Sequence, residues 1–211
     1  MYFEGSPACK RNDCVPLPSF YSSPLQRRFR HDLVLRMQKP FADLLLPDRR
    51  FDGVVLIDPQ TGIARPMELA DLYAMVEPYK LIPTIPEDVS NQITAAKHAF
   101  VYSWFCYDLA TLAEQHAYGA LENGLRLRAK RADKLPKGRG LAALLKCACD
   151  NGWLVRSEFD MPDMSNLLGT LPMMRNHIGH GRTHILPELS KEMLRICVEI
   201  LNKVYATSPP P

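Results

Sequence analysis

Apolar side chains recur at the spacing of an α-helix over the C-terminal three-fifths of the chain. From Ser90, a candidate N-cap, to about Lys130, no proline interrupts a segment that is apolar on more than one face. A continuous helix of this length would span about 60 Å, so we expect a kink near Gly119 or Gly124. The wide apolar surface predicts packing against the same chain and against a second copy.

Three shorter helices are predicted after this segment. Leu141–Asp150 ends at the stop signal Asn151-Gly152, Ser165 caps the next helix, and Pro187 lies in the first turn of the last one. The last helix has an apolar face at regular spacing, formed by Leu189, Met193, Ile196, Ile200, Leu201 and Val204. The pattern therefore predicts a bundle of about four to five helices.

The N-terminal part has a different pattern. A helix over Leu25–Gln38 would carry one basic face. The run Val54–Ile57, a turn over Asp58–Gly62 and the returning segment Ile63–Arg65 predict a β-hairpin. A short helix over Met67–Val76 follows, and Pro78, Pro83 and Pro86 form a linker.

These elements predict a mainly α-helical protein with four segments. Residues 1–24 form an extended or disordered arm, and residues 25–88 an accessory region with the hairpin and short helices. Residues 89–206 form the helical domain, and residues 207–211 a disordered tail. The 211-residue length fits one domain or one and a half.

Composition narrows the function classes only slightly. The net charge of +3 is compatible with nucleic acid but does not demand it. No apolar run of transmembrane length and no leader pattern is present, so we expect a cytoplasmic protein with no membrane partner. Cys106, Cys147, Cys149 and Cys197 lie in predicted helices, where free cysteines usually act as small core residues, and we expect no zinc site among the six cysteines.

The run Met174–Gly181 concentrates the groups that can perform chemistry. It places a permanent cation, Arg175, beside an amide, Asn176, and two imidazoles, His177 and His180. Asn176 and His180 share a helix face, whereas Arg175 lies about 140° from His180. The two side chains can still meet if the long side chain of Arg175 reaches round the helix, if the helix ends near His180, or if a second subunit supplies the complementary group.

Other interpretations of this run remain open. Arg and His near a helix C-terminus also complement the helix dipole, with no functional role. His177, His180 and His184 have a spacing that can ligate a metal, although Gly179 and Gly181 should interrupt the helix there. The sequence contains neither the glycine-flanked turn that presents a nucleophilic serine nor a glycine-rich phosphate-binding loop. We expect neither a metal nor a cofactor.

The sequence resembles the Arg-polar-spacer-His motif of the HEPN superfamily, a group of all-α nucleotide-binding domains. The matching residues are Arg175-Asn176 and, four residues after Asn176, His180-Gly181. The resemblance covers roughly residues 89–206 and implies a HEPN-like helical bundle. It implies phosphate stabilisation by Arg175, proton transfer by His180 and orientation by Asn176. His177 matches no family role and is either a second acid/base or a surface histidine. Glu122 stands where several HEPN proteins carry an acid that supports the site.

A basic tract follows the long helical segment. Residues 126–139 contain one acid, Asp133, and seven cations: Arg126, Arg128, Lys130, Arg131, Lys134, Lys137 and Arg139. This excess of positive charge predicts either a solvated loop or a surface that binds RNA phosphates.

The resemblance implies a homodimeric, metal-independent endoribonuclease that cleaves RNA by 2′-hydroxyl attack, in a toxin-antitoxin, phage-defence or stress setting. A non-catalytic module is the alternative: it would bind RNA or nucleotides, or partner a nucleotidyltransferase or an antitoxin. A third interpretation makes the domain a dimerisation platform for whatever residues 1–88 recognise.

Overall fold

The computed structural model describes residues 39–58, 60–138, 140–159, 167–179 and 187–206. The chain divides into two compact units, one up to Leu44 and the other from Leu45 onward. The described part of the first unit contains a 3-10 turn, Phe41–Asp43. The predicted arm, the helix over 25–38, the Ser165 cap and the C-terminal tail lie outside the described residues.

The described part of the second unit is mainly α-helical, as predicted. Short 3-10 helices occur at Arg49–Phe51 and Arg156–Phe159. The α-helices are α1 (Leu69–Val76), α2 (Glu87–Tyr102), α3 (Leu109–Arg131), α4 (Leu141–Asp150), α5 (Leu167–Gly179) and α6 (Pro187–Ala206). Among the described residues, none of these helices is long and apolar enough to cross a membrane.

The predicted hairpin is present. β1 (Val55–Ile57) pairs antiparallel with β2 (Ala64–Pro66), with Leu56 opposite Arg65. The carboxylate of Asp58 accepts hydrogen bonds from the backbone N–H groups of Gln60 and Thr61, at 2.8 and 3.1 Å. This Asx-type arrangement turns the chain between the strands.

The prediction of one long helix from Ser90 with a glycine kink was wrong. The helix begins at Glu87, directly after Pro86, and α2 ends at Tyr102. A break over residues 103–108 separates it from α3, in which Gly119 and Gly124 are ordinary interior positions.

Tertiary contacts explain this break, since residues 103–108 contain neither glycine nor proline. The N–H of Asp48 donates to the carbonyl of Trp104 at 2.7 Å, and the carboxylate of Asp48 accepts the N–H of Tyr107 at 3.0 Å. The ring of Phe51 lies 5.2 Å from the rings of both aromatic residues. Residues distant in sequence thus take over backbone groups that a continuous helix would use.

Helix α3 lies at the centre of the bundle and packs against α2, α4, α5 and α6. At Gly124 the helix comes so close to α6 that an added Cβ would lie 2.4 Å from Leu201 Cδ2. The hydroxyl of Tyr205 donates to the carbonyl of Gly124 at 2.9 Å. The chain itself therefore buries most of the apolar surface from which the sequence predicts a dimer.

Residues 45–88 share this core. Phe51, Leu72, Val76 and Ile85 belong to the same cluster of buried side chains as the residues of α2, α3 and α6. A separate accessory region over 25–88 stays a prediction, but its described C-terminal part packs as an extension of the bundle.

Candidate functional site

Helix α5, which carries the motif, has one buried and one exposed face. Leu168, Leu171 and Ile178 are buried against the bundle, whereas Arg175, Asn176 and His177 are exposed. Pro172 lies inside the helix and has no N–H, so the carbonyl of Leu168, four residues earlier, lacks its usual helical donor. The motif residues therefore follow a local irregularity and project from the bundle.

The structure pairs Arg175 with Glu122. Arg175 Nε donates to Glu122 Oε1 at 2.7 Å, and Arg175 Nη1 lies 3.5 Å from Asn176 Oδ1. The side chain of Glu122 is 15 % exposed and that of Arg175 is 43 % exposed. A pair this exposed contributes little stability, up to about 1 kcal/mol, so its main effect is to orient the guanidinium.

A second contact from α3 holds the end of the motif helix. Gln115 Nε2 donates to the carbonyl of Ile178 at 3.4 Å, which supplies a partner for one of the terminal carbonyls that a helix leaves without an internal donor. Gln115, Gly119 and Glu122 lie on one face of α3, at spacings of four and three residues. Gln115 was not predicted as a site residue, although its spacing of seven residues from Glu122 indicates that the two share a face.

Two predicted site residues are not among those the structure describes. His180 lies in the segment 180–186, and Arg139 is also outside the described residues. The described residues bring together Arg175, Asn176 and Glu122. The exposed ring of His177 has no hydrogen bond or ion pair with them in the described part of the chain.

The structure corrects one residue of the predicted RNA-binding set. Arg128 is buried, with 3 % of its surface exposed. Its Nε donates to the carbonyl of Val204 at 3.3 Å, and its guanidinium lies 4.8 Å from the ring centre of Trp153. Arg128 therefore stabilises the contact between α3, α6 and the end of α4, and it cannot reach a nucleic acid.

The other described members of the tract are on the surface. Arg126, Lys130 and Arg131 are exposed on the last turns of α3, and Lys134 and Lys137 are exposed in the following loop. None of these five side chains forms an ion pair with a described residue.

Helix α3 also carries a buried acid, one position before Gln115. Glu114 on α3 has no exposed surface, and Ser190 Oγ donates to Glu114 Oε2 at 3.2 Å. Burial raises the pKa of Glu114 to about 7, although hydrogen bonds from Ser190 and Tyr118 lower it. Glu114 also raises the pKa of its neighbours Tyr118 and Cys197, for both of which burial is the larger cause.

The cysteines follow the prediction in part. Cys147 and Cys197 are buried, whereas Cys106 lies in the break between α2 and α3 and is exposed. The described residues contain no cluster of three or more His, Cys, Asp or Glu side chains that could hold a metal ion.

Comparison of the chain with models of known protein families, with curated proteins and with solved structures found no match.

Proposed function

We propose that the chain is a metal-independent endoribonuclease of the HEPN type. The observation that carries this proposal is the exposed guanidinium of Arg175, which Glu122 orients from the central helix beside Asn176. An arginine presented in this way can bind the oxygens of a phosphodiester while its Nε stays engaged.

In the proposed reaction, the 2′-oxygen of a ribose attacks the adjacent phosphorus. The bond from phosphorus to the 5′-oxygen breaks, and the products are a 2′,3′-cyclic phosphate and a 5′-hydroxyl end. Arg175 stabilises the charge that develops on the phosphoryl oxygens, and Asn176 helps to orient it. His180 transfers a proton to or from the reacting oxygens, a role suited to an imidazole near neutral pH.

We further propose a homodimer and a toxin-antitoxin, phage-defence or stress setting, with an antitoxin or nucleotidyltransferase as partner. The homodimer was predicted from the wide apolar surface of the long helical segment, most of which the chain itself buries. The biological setting and the partners come from the family resemblance alone. The Arg175–Glu122 pair forms within one chain, so the placement of Arg175 does not depend on a second subunit.

A non-catalytic RNA-binding or nucleotide-binding module is the second candidate. The observation that favours it is the set of exposed cations near the end of α3 that form no ion pair with a described residue, because such a surface binds phosphates whether or not cleavage follows. In this case Arg175 and the basic tract matter, and His180 does not.

A cleavage assay separates the two candidates. Wild-type protein, Arg175→Ala and His180→Ala are incubated with single-stranded RNA in the presence of EDTA. We expect cleavage by the wild type to continue without metal. Loss of His180 should lower the rate about 10²- to 10⁴-fold, and loss of Arg175 by about 10²-fold or more.

His177→Ala is the matched control, because it removes a neighbouring exposed imidazole and should retain most activity. Glu122→Gln should lower the rate less than Arg175→Ala, since it disturbs only the orientation of the guanidinium. Circular dichroism checks that each variant folds. Inhibition by EDTA, or a His180→Ala variant as fast as the wild type, would leave the binding module as the better account.

A further inference from the structure

The exposed cations of the basic tract differ from most other surface cations of the described structure. Elsewhere, lysines and arginines are largely neutralised by nearby acids, as in the pairs Lys80–Glu77, Lys146–Asp150, Lys191–Glu188, Arg195–Glu192, Lys203–Glu158 and Arg65–Asp71. The five exposed cations of the tract have no such partner among the described residues. This surface therefore carries an uncompensated positive charge.

The clearest case is Arg126. A glutamate four residues before an arginine is well placed for a helical ion pair, and Glu122 stands at that position before Arg126. Its carboxylate instead pairs with Arg175. Glu122 therefore forms its ion pair with Arg175, and Arg126 has no ion pair with a described residue.

The tract also has two sides. Relative to Glu122, Arg126 and Lys130 lie about 40° and 80° around α3. Gln115, which contacts the end of α5, lies about 20° from Glu122 in the same direction. Arg131 lies about 180° away. Its charge acts on Tyr205 of α6, where it opposes the rise in pKa that burial causes. Lys134 lies beyond the helix, in the loop that α4 holds through a hydrogen bond from Cys147 Sγ to the Lys134 carbonyl.

We propose that Arg175, Arg126 and Lys130 form a continuous phosphate-binding track for single-stranded RNA along α3. The track rests on the proposed function, because its first phosphate is the one bound by Arg175. Arg126 and Lys130 are four residues apart on α3, an axial rise of about 6 Å, which is comparable with the separation of adjacent phosphates in an extended strand. A single strand is the fitting substrate because the proposed attack needs a backbone free to align the 2′-oxygen with the leaving oxygen.

The dipole of α3 offers another explanation, since cations are favourable at any helix C-terminus. That explanation predicts a small loss of stability when Arg126 and Lys130 are neutralised and no effect on RNA. The two accounts therefore differ in what a binding experiment measures.

The test measures binding without cleavage. The probe is a fully 2′-O-methylated single-stranded oligonucleotide of about 12 nucleotides, and fluorescence anisotropy gives its affinity over a series of salt concentrations. For Arg126→Gln/Lys130→Gln we expect weaker binding and a log-log salt slope that is smaller by about 1.4, since each contact to a single strand contributes about 0.7.

Lys80→Gln/Lys146→Gln is the control for net charge. It also removes two exposed cations, but each of them is already paired with an acid, so the slope should stay at the wild-type value. Arg131→Gln/Lys134→Gln compares the other side of the tract and should change the slope less than Arg126→Gln/Lys130→Gln.

Three results would overturn the track: an unchanged slope for Arg126→Gln/Lys130→Gln, an equal loss for Arg131→Gln/Lys134→Gln, or competition by polyglutamate as strong as that by the oligonucleotide. The last result would indicate an acidic protein partner.

Failure of the ribonuclease proposal gives a different result. If the chain binds the oligonucleotide as described but leaves unmodified RNA intact, the track is supported and the ribonuclease activity is not. A chain that cleaves RNA with an unchanged slope in the Arg126→Gln/Lys130→Gln variant keeps the activity and loses the track.

Discussion

Glu114 is a carboxylic acid with no exposed surface, and its environment makes stability depend on pH. In the unfolded chain its pKa is near the ordinary 4.5, and burial raises it to about 7 in the folded protein. Because its pKa is higher in the folded protein, Glu114 contributes to the free energy of unfolding. This contribution is fully present at pH values below the unfolded pKa and is lost as pH rises through the folded pKa. The protein should therefore lose stability between pH 5 and pH 8.

Glu114→Gln should remove most of this decline, because glutamine keeps the shape but cannot ionise. A shift of this size corresponds to about 3 kcal/mol at most. Urea unfolding of both proteins at pH 5 and pH 8 measures it, and Glu87→Gln, at an exposed helix start, should follow the wild type. An equal decline in Glu114→Gln would show that Glu114 is not the group responsible.

The burial of Arg128 could have been predicted from its spacing in the sequence. Arg128 follows Leu121 and Leu125 by seven and three residues and so shares their buried face. Arg128 was predicted to bind RNA because it stands among the other cations of the tract, although this spacing places it on the buried face. Glu122 was expected near the motif from the resemblance, whereas its pairing with Arg175 depends on how α5 packs on α3, which no local pattern specifies.

At the scale of elements, the two glycines inside α3 should respond oppositely to alanine. In Gly124→Ala the new methyl group would collide with buried Leu201, whereas in Gly119→Ala it meets nothing within 4 Å. Overpacking costs about 1 to 3 kcal/mol, which outweighs the gain in helix propensity of up to about 1 kcal/mol. We expect Gly124→Ala to lower the free energy of unfolding and Gly119→Ala to raise it.

Denaturant unfolding of the two variants side by side checks this prediction, since the chemical change is identical and only the surroundings differ. Stabilisation by both substitutions would contradict the close approach of α3 and α6 at Gly124.

Periodicity located most elements because each helix buries one regular stripe of side chains. Local turn and capping signals located the hairpin, the end of Leu141–Asp150 at Asn151-Gly152 and the start of the last helix at Pro187. The break after Tyr102 was not predicted, because its cause lies more than fifty residues earlier in the chain: Asp48 binds the backbone of Trp104 and Tyr107. Local sequence cannot reveal a helix end that a distant carboxylate imposes.

At the scale of the molecule, Asp48 and Arg50 attach the start of the second unit to the helical bundle. Arg50 donates to Asp48 and to Asp108 and lies 4.5 Å from the ring centre of Tyr107. Burial by itself raises the pKa of Asp48, but hydrogen bonds from Arg50 and from the Tyr107 N–H outweigh it and lower the pKa to about 2. The stabilisation is present above the unfolded pKa of 3.8 and is lost as pH falls towards 2.

Asp48→Asn should therefore lower the free energy of unfolding at pH 7 by about 2 kcal/mol. The difference from the wild type should shrink as pH falls from 4 towards 2, because the wild-type carboxyl then becomes protonated. Thermal unfolding over this pH range measures it, with exposed Asp52→Asn as the control. A difference that is independent of pH would assign the loss to packing instead of charge.

The positions of the two tryptophans have a practical consequence. Trp104 stacks near Phe51 just before α3 begins, and Trp153 lies under Arg128 close to the last turn of α3. The central helix therefore has an intrinsic fluorophore at each end. Replacing either indole by phenylalanine leaves a single tryptophan, so the tryptophan emission of an unlabelled chain can show whether the two ends of α3 lose their surroundings together or in sequence.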